Sequence, residues 1–315
     1  MENKIFIIGM GNIGRRHLQG ICNEGICKEV VGYDINPQAL EDTKKFIEDN
    51  HINHTSIRLM DKKEAIGGHI NRETIVIIAA TANNRVSCFH QILQLKPKAV
   101  IVEKPLCQTE AEYKKILNLS KKYNVPVYVD FHRHMYEKYR QMSAYLKKDP
   151  LRFIHTTTWG GMACNGIHVL EFITWLTDAR EYKILDYSKP KVYATKRRGF
   201  KDFEGQIAFV VNKNIVCSVS ATNKESLETY DIAAQDRQYF VNESVNRMSV
   251  VDKKGKQEEQ EINVLYLSQI TGKVVRDIIK GSSYVKLPRI EKTFLAHRIL
   301  FDYMKCTKIS DINFT

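Results

Sequence analysis

Lys4-Ile5-Phe6-Ile7-Ile8 is an apolar run of strand length. It opens into Gly9-Met10-Gly11-Asn12-Ile13-Gly14, and a helical stretch runs on from about Asn12 to Cys22. A strand, a Gly-x-Gly-x-x-Gly turn and a helix, in that order, limit the possible folds more than any other feature of the chain. In such a unit Gly9 takes the tight turn, Gly11 lets the backbone approach a pyrophosphate, and Gly14 lets the helix pack closely on the strand. The helix start, with Asn12 and Ile13, offers free N–H groups and a partial positive charge to phosphates. A second apolar run, Val30-Val31-Gly32-Tyr33, ends in Asp34. Dinucleotide folds place the carboxylate for the adenosine ribose about 20 residues beyond the glycine loop. Asp34 is followed by Ile35, Asn36 and Pro37, with no arginine to receive a 2′-phosphate, so the expected cofactor is NAD.

The same grammar repeats. Asn36-Pro37 opens a charged helix to about Asp49, and Thr74-Ile75-Val76-Ile77-Ile78-Ala79-Ala80 reads as a parallel strand buried on both faces. Thr81 and Asn83 follow it, either lining the cofactor at the carboxyl end of the sheet or capping the next helix. Lys98 to Val102 is a further buried strand that runs into Glu103-Lys104-Pro105, a charged pair that packing alone does not explain. Pro105 holds Lys104 extended and is a candidate for a cis bond. Glu110 to Lys122 reads as helix and Val125 to Asp130 as strand. Strand–helix repetition of this kind means a doubly wound parallel sheet.

Beyond about Asp130 the pattern changes. Phe153 to Trp159 is β-rich, Gly160 to Cys164 reads as a loop, and Ile167 to Leu176 as a helix. Short β-branched runs then follow in series between turn residues, as expected for a mostly antiparallel open sheet. Gln260 to Lys280 reads as one long helix and Ile290 to Lys305 as another. The expected fold is therefore α/β. Residues 1–125 form a Rossmann domain and residues 126–315 a second α/β domain for substrate and assembly, with the C-terminal helix able to pack back on the first.

Composition narrows the function classes. No apolar run reaches the length of a membrane span, and the chain enters its first strand at once, so a cytoplasmic protein is expected. Seven scattered cysteines favour reduced thiols over disulfides or a zinc site. The pairs His51/His54 and His132/His134 lack carboxylate or cysteine partners at ligand spacing, so no metal is expected. The net charge of +12 is spread in short groups such as Lys196-Arg197-Arg198, without a nucleic-acid-binding pattern. It suits a solvated surface, or attraction of phosphate-bearing ligands.

Taken together, Gly9–Gly14, Thr81-Ala82-Asn83, Glu103-Lys104-Pro105, Phe131-His132-Arg133-His134 and Gly166-Ile167-His168-Val169-Leu170-Glu171 resemble the Gfo/Idh/MocA oxidoreductases. The resemblance implies that Glu103 and Lys104 stand beside the cofactor, with Lys104 near the nicotinamide and the reacting carbon. It makes His168 the acid/base for the substrate hydroxyl. Arg133, Trp159 and Asn165 are expected beside it as substrate contacts, Arg133 through its charge. It implies an NAD-dependent dehydrogenase or reductase acting on a sugar or cyclitol CH–OH group. A phosphorylated or nucleotide-linked sugar of surface-glycan or amino-sugar synthesis is favoured. A homodimer or homotetramer is expected, with neither nucleic acid nor membrane as partner. Cys164 departs from the family, which usually has an acid four residues before the histidine. Asn165 is expected to cap the helix, placing His168 in its positive first turn as a neutral base. The alternative is an inactive NAD-binding sensor or regulatory subunit on the same fold.

Overall fold

The computed structural model describes residues 4–52, 55–223, 227–309 and 311–314, apart from the side chains of 64 and 65. His54 lies outside the described residues. The chain divides into two compact units, the first made of residues 1–107, 111–135 and 265–291, the second of the rest.

The first unit opens with β1 (Lys4–Ile8), α1 (Asn12–Glu24), β2 (Glu29–Tyr33), α2 (Pro37–Asp49), β3 (Ser56–Met60) and β4 (Thr74–Ile78). It continues with α3 (Arg85–Leu93), β5 (Ala99–Val102), α4 (Glu110–Tyr123) and β6 (Val127–Val129). The strands form one six-stranded sheet in the order β3-β2-β1-β4-β5-β6, every pair parallel. β1, β4 and β5 are apolar and almost wholly buried, as central strands covered on both faces must be. Gly9 has φ +93, and a Cβ on Gly14 would lie 1.9 Å from the Gly9 carbonyl oxygen, so the tight turn and close helix packing both demand glycine. β6 belongs to this sheet, so the unit extends past residue 125, where the sequence suggested the boundary, to Met135.

The second unit holds α5 (Glu137–Leu146), β7 (Leu151–Trp159), α6 (Ile167–Leu176), β8 (Tyr182–Tyr187), β9 (Lys191–Ala194) and β10 (Lys201–Val211). Then come β11 (Ile215–Thr222), β12 (Thr229–Ala234), β13 (Arg237–Asn242), β14 (Arg247–Asp252) and β15 (Gln257–Glu261). They make a nine-stranded sheet ordered β15-β14-β13-β12-β7-β11-β10-β8, with β9 paired to β10. Among the described residues of this sheet, β7 and β11 alone pair in parallel. Tyr139 of α5, Phe172 of α6 and Tyr230 of β12 form the aromatic core, with ring centroids 4.6 Å (Tyr139–Phe172) and 5.1 Å (Phe172–Tyr230) apart. On β7, β11 and β13 the residues that alternate away from this core include Phe153, Val216 and Phe240, all exposed.

α7 (Leu267–Lys280) returns to the first unit and crosses α1 closely. A Cβ on Gly272 would stand 2.4 Å from the Gly20 carbonyl oxygen. α8 (Ile290–Cys306) ends the regular structure. The long helix expected from Gln260 is shorter than its sequence suggests and begins only at Leu267. The stretch Gln257–Glu261 pairs instead with β14, as an exposed polar edge strand.

Candidate functional site

The carboxyl ends of β1, β2, β4, β5 and β6 carry the cofactor candidates within the first unit. Asp34 ends β2 and ties the loop to it: Met10 N–H donates to Oδ2 at 2.7 Å and Asn36 N–H to Oδ1 at 2.9 Å. Each carboxylate oxygen keeps acceptor capacity for a ribose hydroxyl. Gly11 stands at the N-cap of α1 with no side-chain cap, and a Cβ there would meet nothing within 4 Å. The loop is thus held in place while leaving room beside the helix start, as a pyrophosphate requires. Asn12 is bonded by Arg15, and Ile13 is partly exposed. The helix after β4 is not capped by Thr81 or Asn83: Asn84 holds that position, in the left-handed region, with no side-chain hydrogen bond. Asn83 Oδ1 is instead buried without a partner, an acceptor facing no donor of the described residues. These features fit a dinucleotide along this edge, held by Gly9–Gly14, Asp34 and Asn83.

The Glu103-Lys104-Pro105 corner follows β5, and its Lys104–Pro105 peptide is cis. Two groups that the sequence did not single out support it. Arg85, 3% exposed, sends its guanidinium to the carbonyl oxygens of Glu103, Pro105 (2.5 Å), Leu106 (3.2 Å) and Ala80 (2.5 Å). His17 of α1, 1% exposed, has Nε2 3.2 Å from Glu103 Oε1 and Nδ1 2.8 Å from Thr271 Oγ1 of α7.

Asp130, just past β6, completes this cluster. One ligand-type atom each of His17, Glu103 and Asp130 lies within 4.8 Å of the others. Burial would raise Glu103, but the hydrogen bond and attraction of His17, the charge of Lys104 and the hydrogen bond with Asp130 together bring it down to about 2. Asp130 moves the other way, well above the usual aspartate range, through burial and the charge and hydrogen bond of Glu103, against the pull of Lys104. Burial, Arg133 and Lys104 push His132 down to about 3, so it is neutral at physiological pH. Arg133 and His134 are themselves buried, whereas Lys196, Arg197 and Arg198 are exposed.

In the second unit His168 is a buried residue near the start of α6, with Glu171 three residues on and also buried. The loop expected at Gly160 to Cys164 is largely a π turn, Met162–Gly166, that runs directly into α6. Gly166 at the cap position already has helical angles (φ −56, ψ −32), and no side chain caps the helix. Asn165 is therefore part of the turn, its N–H donating to Gly161 O at 3.1 Å, and is not the expected N-cap. His168 therefore lies inside a continuous helical run and not in the freshly capped first turn that the sequence suggested. Cys164 nonetheless has a carboxylate beside it. Asp202 of β10, 2% exposed, accepts from Cys164 N–H (3.0 Å), Ala163 N–H (2.9 Å) and Phe203 N–H (2.8 Å). Burial, Asp202 and Cys164 push the Tyr193 phenol upward. Trp159, at the end of β7, is 45% exposed.

Residues 3–131 match the family described as the oxidoreductase family, NAD-binding Rossmann fold, of the Gfo/Idh/MocA group. No curated protein sequence matches the chain. Among solved structures it is similar to the UDP-N-acetylglucosamine 3-dehydrogenase GnnA from Acidithiobacillus ferrooxidans. That match has a TM-score of 0.75 and 12% identity, covering 99% of this chain and 100% of the other. The WlbA dehydrogenase from Bordetella pertussis, solved with NADH and UDP-GlcNAcA, gives a TM-score of 0.73 at 13% identity, covering 98% and 97%. The Saccharomyces cerevisiae protein Gal80p, as a super-repressor mutant, gives 0.74 at 10%, covering 98% and 96%. At these identities the likeness is one of fold. Among the described residues no helix is long and apolar enough to cross a membrane. Over residues 3–131, which carry the glycine loop, Asp34 and the Glu103-Lys104-Pro105 corner, the chain matches the NAD-binding Rossmann domain of the Gfo/Idh/MocA oxidoreductases.

Proposed function

We propose that the protein is an NAD-dependent dehydrogenase or reductase acting on a CH–OH group of a sugar or cyclitol. The preferred substrate is a nucleotide-linked or phosphorylated sugar of surface-glycan or amino-sugar synthesis. The observation that carries the reading is the investment made in one lysine: Arg85 from one side and His17 with Asp130 from the other fix the corner that presents Lys104. NAD, when bound, supplies the hydride acceptor or donor. Lys104 supplies positive charge where alkoxide character develops on the substrate oxygen. His168 takes up or returns the hydroxyl proton, and Arg133, Trp159 and Asn165 are the proposed substrate contacts. Support for an activated sugar comes from GnnA and WlbA, both of the same fold and named for or solved with UDP-sugars. The test is nicotinamide absorbance with purified protein, NAD or NADH, and a panel of UDP-sugars and sugar phosphates. No change with any of them would remove the reading.

A second reading, an NAD-binding sensor without catalysis, is favoured by Cys164 in place of the usual acid and by the fold shared with Gal80p, of which a super-repressor form was solved. The same panel separates the two, because a sensor binds NADH without oxidising or reducing any of the sugars.

Cofactor choice follows from Asp34. Its carboxylate accepts from a ribose 2′-OH and repels a 2′-phosphate, so NAD should bind more tightly than NADP. Asp34→Ala should narrow that gap in fluorescence titrations. Tighter binding of NADP by the unaltered protein would refute the assignment.

Assembly is proposed through the open face of the nine-stranded sheet. Phe153 and Val216 are register partners on neighbouring strands, and Phe240 lies on the same sheet, all three exposed. An apolar sheet face of this kind ordinarily finds a partner. A homodimer or homotetramer is expected by light scattering, and Phe153→Lys combined with Val216→Lys should shift it to monomer. A monomer of 36.5 kDa at micromolar concentration for the unaltered chain would overturn this.

A further inference from the structure

We propose that Asp202 is a positioning residue for His168: reaching over from β10, it caps the helical run that carries the histidine and fixes the π turn at its start. Its meaning for catalysis rests on the role given to His168 above, whereas its geometry stands without that role.

The π turn and α6 make one unbroken run, Met162–Leu176, within the second unit. The first N–H groups of such a run have no partner inside it. Gly161, which precedes the run, has no side chain to offer them. Ala163 is fully buried, so its N–H needs a partner from the protein. Asp202 serves two of these groups from 39 and 38 positions away. Its Oδ1 accepts from Ala163 N–H at 2.9 Å and its Oδ2 from Cys164 N–H at 3.0 Å. Oδ1 also takes Phe203 N–H at 2.8 Å, which ties the carboxylate to its own strand. A carboxylate only 2% exposed is costly unless donors surround it, and a helix start is where negative charge is favoured.

Gly161 makes room for this contact. Its φ is +86, and a Cβ there would lie 2.4 Å from Asp202 Cγ and 2.4 Å from Tyr193 Oη. Tyr193 and Asp202 are register partners on β9 and β10. A side chain at position 161 would push the carboxylate off the two N–H groups, and glycine alone takes the positive φ without strain.

What the cap fixes is where His168 points. Gly161 O accepts from both Asn165 N–H (3.1 Å) and Gly166 N–H (2.9 Å), the second being the wide closure of a π turn. A one-residue change of register in that turn would swing every later residue by about 100° around the helix axis. His168 lies just beyond the turn. Bonds from a fixed strand to Ala163 and Cys164 hold the turn in its wide form. The backbone at Cys164 is thus tied to a carboxylate although its own side chain is a thiol, and a thiol there does not by itself mark lost chemistry.

Nuclear magnetic resonance of labelled protein reads the cap without substrate. Asp202→Ala should speed exchange of the Ala163 and Cys164 amides by about tenfold or more. It should also move the His168 ring signal, which is identified by its loss in His168→Ala, while the signal of exposed His155 stays in place. Asp202→Asn keeps the shape and should split the two amides. The orientation that serves two of the three donors leaves its oxygen on Ala163 and Phe203 and turns its NH2 group toward Cys164 N–H, a donor against a donor. Protection should therefore persist at Ala163 and fail at Cys164, a pattern that general loss of stability does not produce. Gly161→Ala should repeat the Asp202→Ala result with the carboxylate still present. On a sugar that the protein turns over, Asp202→Ala should lower kcat by about 100-fold, the scale of a small misplacement, with NADH affinity within about threefold. Undisturbed amides or an unmoved His168 signal in Asp202→Ala would overturn the proposal. So would equal loss at both amides in Asp202→Asn, or a kcat for Asp202→Ala within about threefold of the unaltered protein. Should Asp202→Ala not fold, the split in Asp202→Asn decides alone. If the amide and ring signals behave as expected but no sugar is turned over, the cap and its hold on His168 stand and the dehydrogenase reading falls.

Discussion

His168→Ala is expected to lower turnover by about two to four orders of magnitude, the usual weight of a positioned acid/base. Affinity for NADH should change by less than about threefold, about half of the 1.4 kcal/mol that separates tenfold steps, because the proposed cofactor residues Gly9–Gly14, Asp34 and Asn83 all belong to the first unit. Lys104→Ala should reduce turnover by a comparable factor and weaken NADH as well, since its charge is proposed to face both cofactor and substrate. Lys104→Arg keeps charge but not shape, and should recover binding more than rate. Steady-state kinetics with the sugar identified from the panel, paired with NADH fluorescence titration, checks the whole set. Full activity of His168→Ala on that sugar would mean that the base lies elsewhere, and Asp202 with Tyr193, which meet at the Cys164 turn, would be the next candidates.

The largest structural effect is expected at Arg85. Alanine there leaves the buried carbonyl groups of Ala80, Glu103, Pro105 and Leu106 without their donor. Each orphaned buried polar group costs about 1–3 kcal/mol. Relaxation and water entry reduce the sum, so a loss of about 3–5 kcal/mol is expected for breaking such a buried charged network. For a unit of this size that corresponds to a fall in melting temperature of roughly 10 °C. Arg85→Lys retains the charge but loses the planar fork that serves both strand ends, and should recover only part of the loss. Scanning calorimetry of the three proteins is the measurement. A midpoint for Arg85→Ala within about 2 °C of the unaltered chain would show that the clamp contributes little.

The parallel sheet was legible because its signals are local. Apolar runs, a glycine turn and a terminal acid lie within a few dozen residues, and each strand keeps its own period. The supports of Lys104 were not legible, because they come from distant segments. His17 meets Glu103 across 86 positions and Thr271 across 254. Arg85 reads as one more surface charge at a helix start until the fold buries it. Asp202 was hidden for the same reason: it reaches the Cys164 turn from 38 residues away, where no spacing rule looks for an acid. Asn165 misled in another way. Its residue type suits a cap, but the π turn carries the helix back through it. The Gln257–Glu261 stretch, rich in helix formers, became a strand because β14 offered it a partner.

The return of α7 to the first unit has a consequence for how the protein is made. On the ribosome, residues 4–135 emerge with six strands and the glycine loop but without the helix that covers α1. Residues 136–264 must be synthesised before Thr271 and Gly272 arrive, a delay of roughly 6 to 26 s at about 5–20 residues per second. During that interval His17 lacks its Thr271 contact, and the small-residue face of α1 around Gly20 stands open to water. The nascent nucleotide-binding unit is therefore incomplete until residues 136–264 of the second unit have been made, and a fragment ended at Met135 would remain in that unfinished state.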